Sequence, residues 1–239
     1  MGLDVYVGSL TRYYARDWET VVQKMGREQG LDVSVVRAND APEDTVTDSD
    51  EISEIVEAWI KGLGRGLSEH LPPGVVFDWQ DDMSSPYFTD KPGWDSYASL
   101  LLWAAYSEHP ELTRPEKCAK ELENDPAFQA STAEGFRSSY GLLLHDVELW
   151  VPVDFPFAFK GQDASGNKIG IGSCHQLLTQ LEQLNRATWG ADAATLDRWL
   201  QDAAESESPM EPGARFAFAV LLDLCREAVT NKLPMKLDY

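Results

Sequence analysis

Gly170-Ile-Gly-Ser-Cys-His175 sets a glycine-bearing turn at the start of a helical pattern. Free backbone N–H groups and the positive end of a helix dipole can hold an anion at such a place. Cys174 in that first turn is a candidate nucleophile with a lowered thiol pKa, and His175 stands beside it. A Cys-His nucleophile needs the imidazole to reach the sulfur, however, and consecutive helical residues point about 100° apart. The competing reading is an ordinary strand-to-helix capping turn with a packed cysteine.

Asp78-Trp-Gln-Asp-Asp82 gathers three carboxylates after a short β-type run. Oxygen-rich clusters suit Mg²⁺ or Ca²⁺, but this spacing is not that of an EF-hand loop and no nearby glycine sets the required turn. A second use is protein binding, with Trp79, Tyr87 and Phe88 as anchors amid the charge of Asp78, Asp81 and Asp82. A third cluster, Asp40, Glu43, Asp44, Asp48, Asp50 and Glu51, precedes a helical pattern. Acids at a helix start oppose the positive end of the dipole, which accounts for Asp48, Asp50 and Glu51. It leaves Asp40, Glu43 and Asp44 as candidates for an electrostatic contact surface. His70, His109 and His145 show no metal-ligand spacing and fit helix ends.

The elements that must carry these residues follow from periodicity. Leu3 to Val7 alternates as a strand burying Leu3, Val5 and Val7. Asp17 caps a predicted helix through Gln29, with Trp18, Val21, Val22 and Met25 inward, and Leu31 to Arg37 is predicted as the second strand. Ile52, Ile55, Val56, Trp59, Ile60 and Leu63 recur at helical spacing, and Gly62, Gly64 and Gly66 weaken the end of that helix. Val75 to Trp79 is β-like. Ser96 to Ser107 is apolar on nearly every side and therefore central. Thr113-Arg-Pro-Glu116 is a capping box predicting a short helix to Glu123.

Leu142 to Phe159 is β-like, and Asp163-Ala-Ser-Gly166 turns a hairpin into a return strand, Lys168 to Gly172. Ser173 opens a helix with Leu177, Leu178, Leu181 and Leu184 buried, and Asp192 to Glu205 forms another. Ala214 to Thr230 is a core helix, and Leu233 to Tyr239 can return as a strand. The expectation is one α+β domain over residues 1–239, a mainly antiparallel sheet packed with several amphipathic helices. By area scaling, about 70% of the unfolded chain's surface can be buried without staples.

Charge is the informative number. Forty acids against 20 bases give a formal net charge of −20. Between Arg37 and Lys91 there are 13 acids and two bases, Lys61 and Arg65. Such a field opposes nucleic acid and anionic membranes and attracts a cationic protein, with association that slows as salt rises. Three cysteines, odd in number, widely spaced and without any C-x-x-C pair, argue against a disulfide framework or a thiolate zinc site. No leader and no apolar run long enough for a bilayer are present, which points to the cytoplasm. No Walker A, H-E-x-x-H, G-x-S-x-G or Rossmann signature occurs, which lowers the prior for an enzyme, and no cofactor is implied.

Three stretches carry a resemblance: Met1-Gly-Leu-Asp-Val-Tyr-Val-Gly-Ser-Leu-Thr-Arg-Tyr-Tyr14, Gly172-Ser-Cys-His-Gln-Leu-Leu-Thr-Gln-Leu-Glu-Gln-Leu-Asn-Arg-Ala-Thr-Trp-Gly190 and Leu233-Pro-Met-Lys-Leu-Asp-Tyr239. They resemble a group of bacterial proteins with no assigned reaction, so the resemblance implies no catalytic residues. In acidity and aromatic content the chain is also similar to immunity proteins that neutralise bacterial toxins.

The leading expectation is an acidic binding protein that occludes a basic partner, a toxin in the immunity-type version, through Asp40, Glu43, Asp44, Asp78, Trp79, Asp81, Asp82, Tyr87 and Phe88. The alternative is a small-molecule enzyme or ligand-binding domain at Gly172 to His175. A third reading, mimicry of DNA, requires carboxylates at phosphate-like spacing, an array that only a structure can show.

Overall fold

Alternation in the strands decides the layers. The computed structural model describes residues 2–31, 33, 48–118, 121–202 and 209–239. Six strands, β1 (Asp4–Val7), β2 (Phe88–Asp90), β3 (Leu149–Val151), β4 (Phe159–Gln162), β5 (Lys168–Ser173) and β6 (Met235–Asp238), form one sheet in the order β2-β1-β6-β3-β5-β4. Neighbours are antiparallel except β3 and β5, which are parallel. The helices are α1 (Leu10–Tyr14), α2 (Val21–Glu28), α3 (Ser49–Leu67), α4 (Trp94–Glu108), α5 (Pro126–Thr132), α6 (Gly141–Leu144), α7 (Cys174–Ala187), α8 (Ala193–Gln201) and α9 (Met210–Asn231). The expected α+β class, with a mostly antiparallel sheet, is what forms.

Successive strand side chains point to opposite faces. Val5, Val7, Trp150, Met235 and Leu237 share one apolar cluster with the buried residues of α4, α7 and α9. Leu149, Val151, Ile169 and Ile171 share a second with Ile52, Val56 and Ile60 of α3, and with Leu10, Trp79 and Phe155. Helices therefore cover both faces. Under β1 and β6 the second face turns polar, because Asp4, Tyr6, Lys236 and Asp238 alternate with the apolar residues and are all buried.

Several boundaries differ from the sequence expectations. The helix predicted from Asp17 begins after Thr20, whose hydroxyl and Gln23 make a reciprocal capping box. Trp18 is buried ahead of it, while Val22 and Met25 are exposed. The predicted strand 31–37 lies outside the described residues except at Leu31, which is exposed, and Val33. α3 continues through its three glycines to Leu67. Val75 to Trp79 is irregular, yet Val75, Phe77 and Trp79 still pack on the second cluster. Thr113 to Cys118 is not helical. Arg114 instead stacks 3.6 Å over the Trp103 ring, and the Glu116 carbonyl accepts from Met210 N at 2.9 Å.

Gly170 is where the sheet tolerates no side chain. A Cβ there would stand 2.0 Å from the Asp146 carbonyl oxygen and 2.8 Å from Val147 Cα. Both are backbone atoms, so relief requires moving the chain that leads into β3. We expect Gly170→Ala to cost about 3 kcal/mol through forced overpacking. Urea titration checks this: the midpoint falls with the slope unchanged. A wild-type midpoint would mean that β3 and β5 separate easily.

Candidate functional site

Each residue singled out in the sequence has a definite place. Asp40, Glu43 and Asp44 lie outside the described residues. Trp79 is only 5% exposed, edge-on to Trp59 at 6.0 Å between ring centres, so it is core and not an interface anchor. Asp81 is turned inward too. Its carboxylate accepts from Ser9 Oγ at 2.7 Å, Leu10 N at 2.7 Å and Thr11 N at 2.9 Å, which caps α1. Three bonds to one carboxylate make it a structural group.

Asp78 is exposed and bonded to Lys232 Nζ at 3.1 Å, which lowers its pKa. Asp82 is exposed and accepts from Ser84 N and Ser84 Oγ, each at 2.8 Å, which lowers its pKa. Tyr87 is half-buried, with Lys24 Nζ 4.7 Å and the Arg12 guanidinium 5.3 Å from its ring centre. Phe88 is half-buried on β2 against the first cluster. The loop thus sends Asp81 to α1, Asp78 to Lys232 and Asp82 to its own Ser84.

The Cys174 reading is corrected outright. Cys174 is fully buried, and its thiol donates to the Trp150 carbonyl at 3.1 Å. Burial pushes its pKa well up, and the same cause raises buried Cys225 to about 12. A buried thiol of raised pKa is not a nucleophile. Ser173 caps α7 by accepting from Gln176 N, but the Gln176 side chain bonds Asp154 instead of closing the box. The turn is a packing device.

What sequence reasoning passed over is the continuation of the acids along α3 to Glu54 and Glu57. Asp48 caps the helix, accepting from Asp50 N at 3.0 Å. Asp48, Asp50, Glu51, Glu54 and Glu57 are all exposed. Only Glu57 has a base partner among the described residues, Lys61 at 3.0 Å. At about 1.5 Å per residue these five carboxylates occupy about 14 Å of helix. One strand of duplex DNA carries about four phosphates over that length. At about 100° per residue they spread over the half of the helix facing away from Ile52, Val56 and Ile60. The signal was available as Asp50, Glu54 and Glu57 at i, i+4 and i+7. Among the described residues, no group of three or more His, Cys, Asp or Glu is placed to hold a metal ion, and no helix is long and apolar enough to cross a membrane.

Two outcomes separate these roles. Asp81→Ala removes a helix cap and should cost about 1–2 kcal/mol, while Asp82→Ala should leave the midpoint of the same thermal melts essentially unmoved. Equal effects would contradict the assignment of Asp81 to structure. Iodoacetamide on folded protein should label half-buried Cys118 first, leaving Cys174 and Cys225 unreacted until unfolding. Rapid labelling of Cys174 would reinstate the nucleophile.

No curated protein and no solved structure matches the chain. Residues 29–237, which include α3, the strands β2 to β5 and β6 up to Leu237, match the family described as "Putative DNA-mimic protein", and the chain belongs to that family.

Proposed function

We propose that this protein occupies the nucleic-acid-binding surface of a basic protein, with the first half of α3 standing in for one strand of a duplex. The observation that carries the reading is the row of exposed carboxylates from Asp48 to Glu57, at a linear charge density close to that of a DNA strand. Family membership and the net charge of −20 support it. The same field repels duplex DNA from the protein itself, so its partners are the proteins that bind DNA, not DNA.

Mechanistically the encounter is steered by long-range attraction and completed by short ion pairs. A partner that reads phosphates with Lys and Arg meets carboxylates at comparable intervals and releases its bound duplex by competition. The immunity-type version makes that partner a toxin. The family description favours a DNA-binding protein of any activity, and the identity of the captured partner decides between them.

The test begins with a column of the protein, a lysate of the native host and elution by salt. A captured partner should be displaced from fluorescent duplex DNA by this protein, less effectively as salt rises. Replacing Asp48, Asp50, Glu51 and Glu54 together by their amides should weaken displacement by roughly tenfold or more, with the fold retained because all four are exposed. Undiminished displacement by that variant, or a partner that holds DNA and this protein at once, would defeat the proposal.

A further inference from the structure

A second face of α3 carries glycines that the fold does not explain. At about 100° per residue, Ile52, Val56, Ile60 and Leu67 lie within roughly 80° and are buried. Asp50, Glu54, Glu57, Lys61 and Arg65 form a second row of similar width, and Ile55, Ala58, Gly62 and Gly66 form a third, all of them exposed. Gly64 has its reason, since a Cβ there would meet the Phe77 ring at 2.8 Å. Gly62 and Gly66 have none: no described atom lies within 4 Å of a Cβ at either position. Glycine is among the least favourable residues in a helix interior, so two of them on an open face need a cause outside the packing of the described residues. Ile55, 45% exposed, stands in the same row.

We infer that α3 pairs antiparallel with α3 of a second copy of this chain, about a two-fold axis near residue 60. Charge complementarity under that reversal selects a second copy as the occupant of this face. The last four members of the charged row, Glu54, Glu57, Lys61 and Arg65, run acid, acid, base, base, and in an antiparallel pair they face their own reverse. Glu54 then meets Arg65 of the other copy and Glu57 meets Lys61, while Ile55 lies over Gly66 and Ala58 over Gly62. Each contact occurs twice, as an isologous interface demands. A parallel pair would set acids against acids. The small residues let the two backbones approach, and Arg65, which has no carboxylate partner among the described residues, gains one. Asp48, Asp50 and Glu51 lie beyond the paired stretch at both ends and stay open, whereas Glu54 and Glu57 are engaged in it, so the pairing covers part of the acidic row and does not rest on the proposed function.

Sedimentation equilibrium of the full chain decides the matter without any DNA-binding partner. The wild type should reach twice its 26.7 kDa as concentration rises. Glu54→Lys and Arg65→Glu should each weaken association by at least about tenfold, and the two together should recover it. Gly62→Gln should raise the thermal midpoint of dilute protein, because it improves the helix, while weakening association at least about tenfold. These opposite signs distinguish an interface from a folding defect. A wild type that stays at 26.7 kDa at the highest attainable concentration overturns the inference. So does a dimer indifferent to Gly62→Gln, or a double swap as weak as its single members.

Discussion

Lys236 lies on the central strand β6 with its side chain 8% exposed, and its ammonium stands 3.6 Å from the carboxylate of Asp163, which is 3% exposed. It is the only buried lysine or arginine among the described residues. Taking both charges out of water is costly, and leaving either unpaired costs more, so the pair fixes its neighbours in place. Asp163 also accepts from Ser165 N, Ser165 Oγ and Asn167 N, which ties the β4–β5 hairpin to β6. Lys236 lies 5.5 Å from the ring centre of Tyr13, whose hydroxyl donates to Asp238 at 2.8 Å, so the same centre holds α1. α1 packs against α3 and is capped by Asp81. A buried ion pair thus sets, through two further elements, the side of the molecule on which the carboxylates of α3 are displayed.

The acid excess divides into groups with different work. Asp81, Asp125 and Asp163 accept backbone N–H groups at turns and helix starts, where a carboxylate is a strong acceptor. Asp4 faces Asp238 across the β1–β6 ladder, a like-charge pairing that would be unfavourable if left alone. Lys91 at 3.5 Å from Asp4 and Tyr13 on Asp238 soften it. On the surface, Asp78 is matched by Lys232 and Asp146 by Lys160. The acids of α3 up to Glu54 have no such base among the described residues, and they owe their tolerance to the positive end of their own helix.

Legibility in the sequence followed the range of the interaction responsible. α7 and the body of α3 announce themselves by a 3.6-residue period, α4 and α9 by runs that are apolar over most of their circumference, and the β4–β5 hairpin by its Asp-Ala-Ser-Gly turn, because all these signals are local. β2 is three residues long and exists by pairing with β1 some eighty positions away, which no window could reveal. The Thr113 capping box was locally sound and failed because Arg114 found the face of Trp103. The candidate site was read less well for the same reason. Trp79 and Asp81 look like interface residues until Trp59 and Ser9 arrive from distant parts of the chain. Cys174 looks like a helix-start nucleophile until Trp150 and Leu233 cover it. The acids of α3 were visible but were credited to the helix dipole alone.

A row of like charges on a helix works against the helix that carries it. Like charges at i and i+4, such as Asp50 and Glu54, weaken a helix by a few tenths of a kcal/mol per pair, so the array is held together against its own repulsion. The opposing terms are the buried row of Ile52, Val56 and Ile60, the Asp48 cap and the helix dipole. Any cationic surface brought to the first half of α3 relieves that repulsion, and the relief adds to the attraction between the partners. A DNA strand gains comparably by shedding condensed counterions. The array also has a limit written into it, since Glu57 is answered by Lys61 and the row turns basic at Arg65. The cation-seeking stretch therefore covers about half the helix, and the other half presents the opposite sign together with a backbone made bare by Gly62 and Gly66.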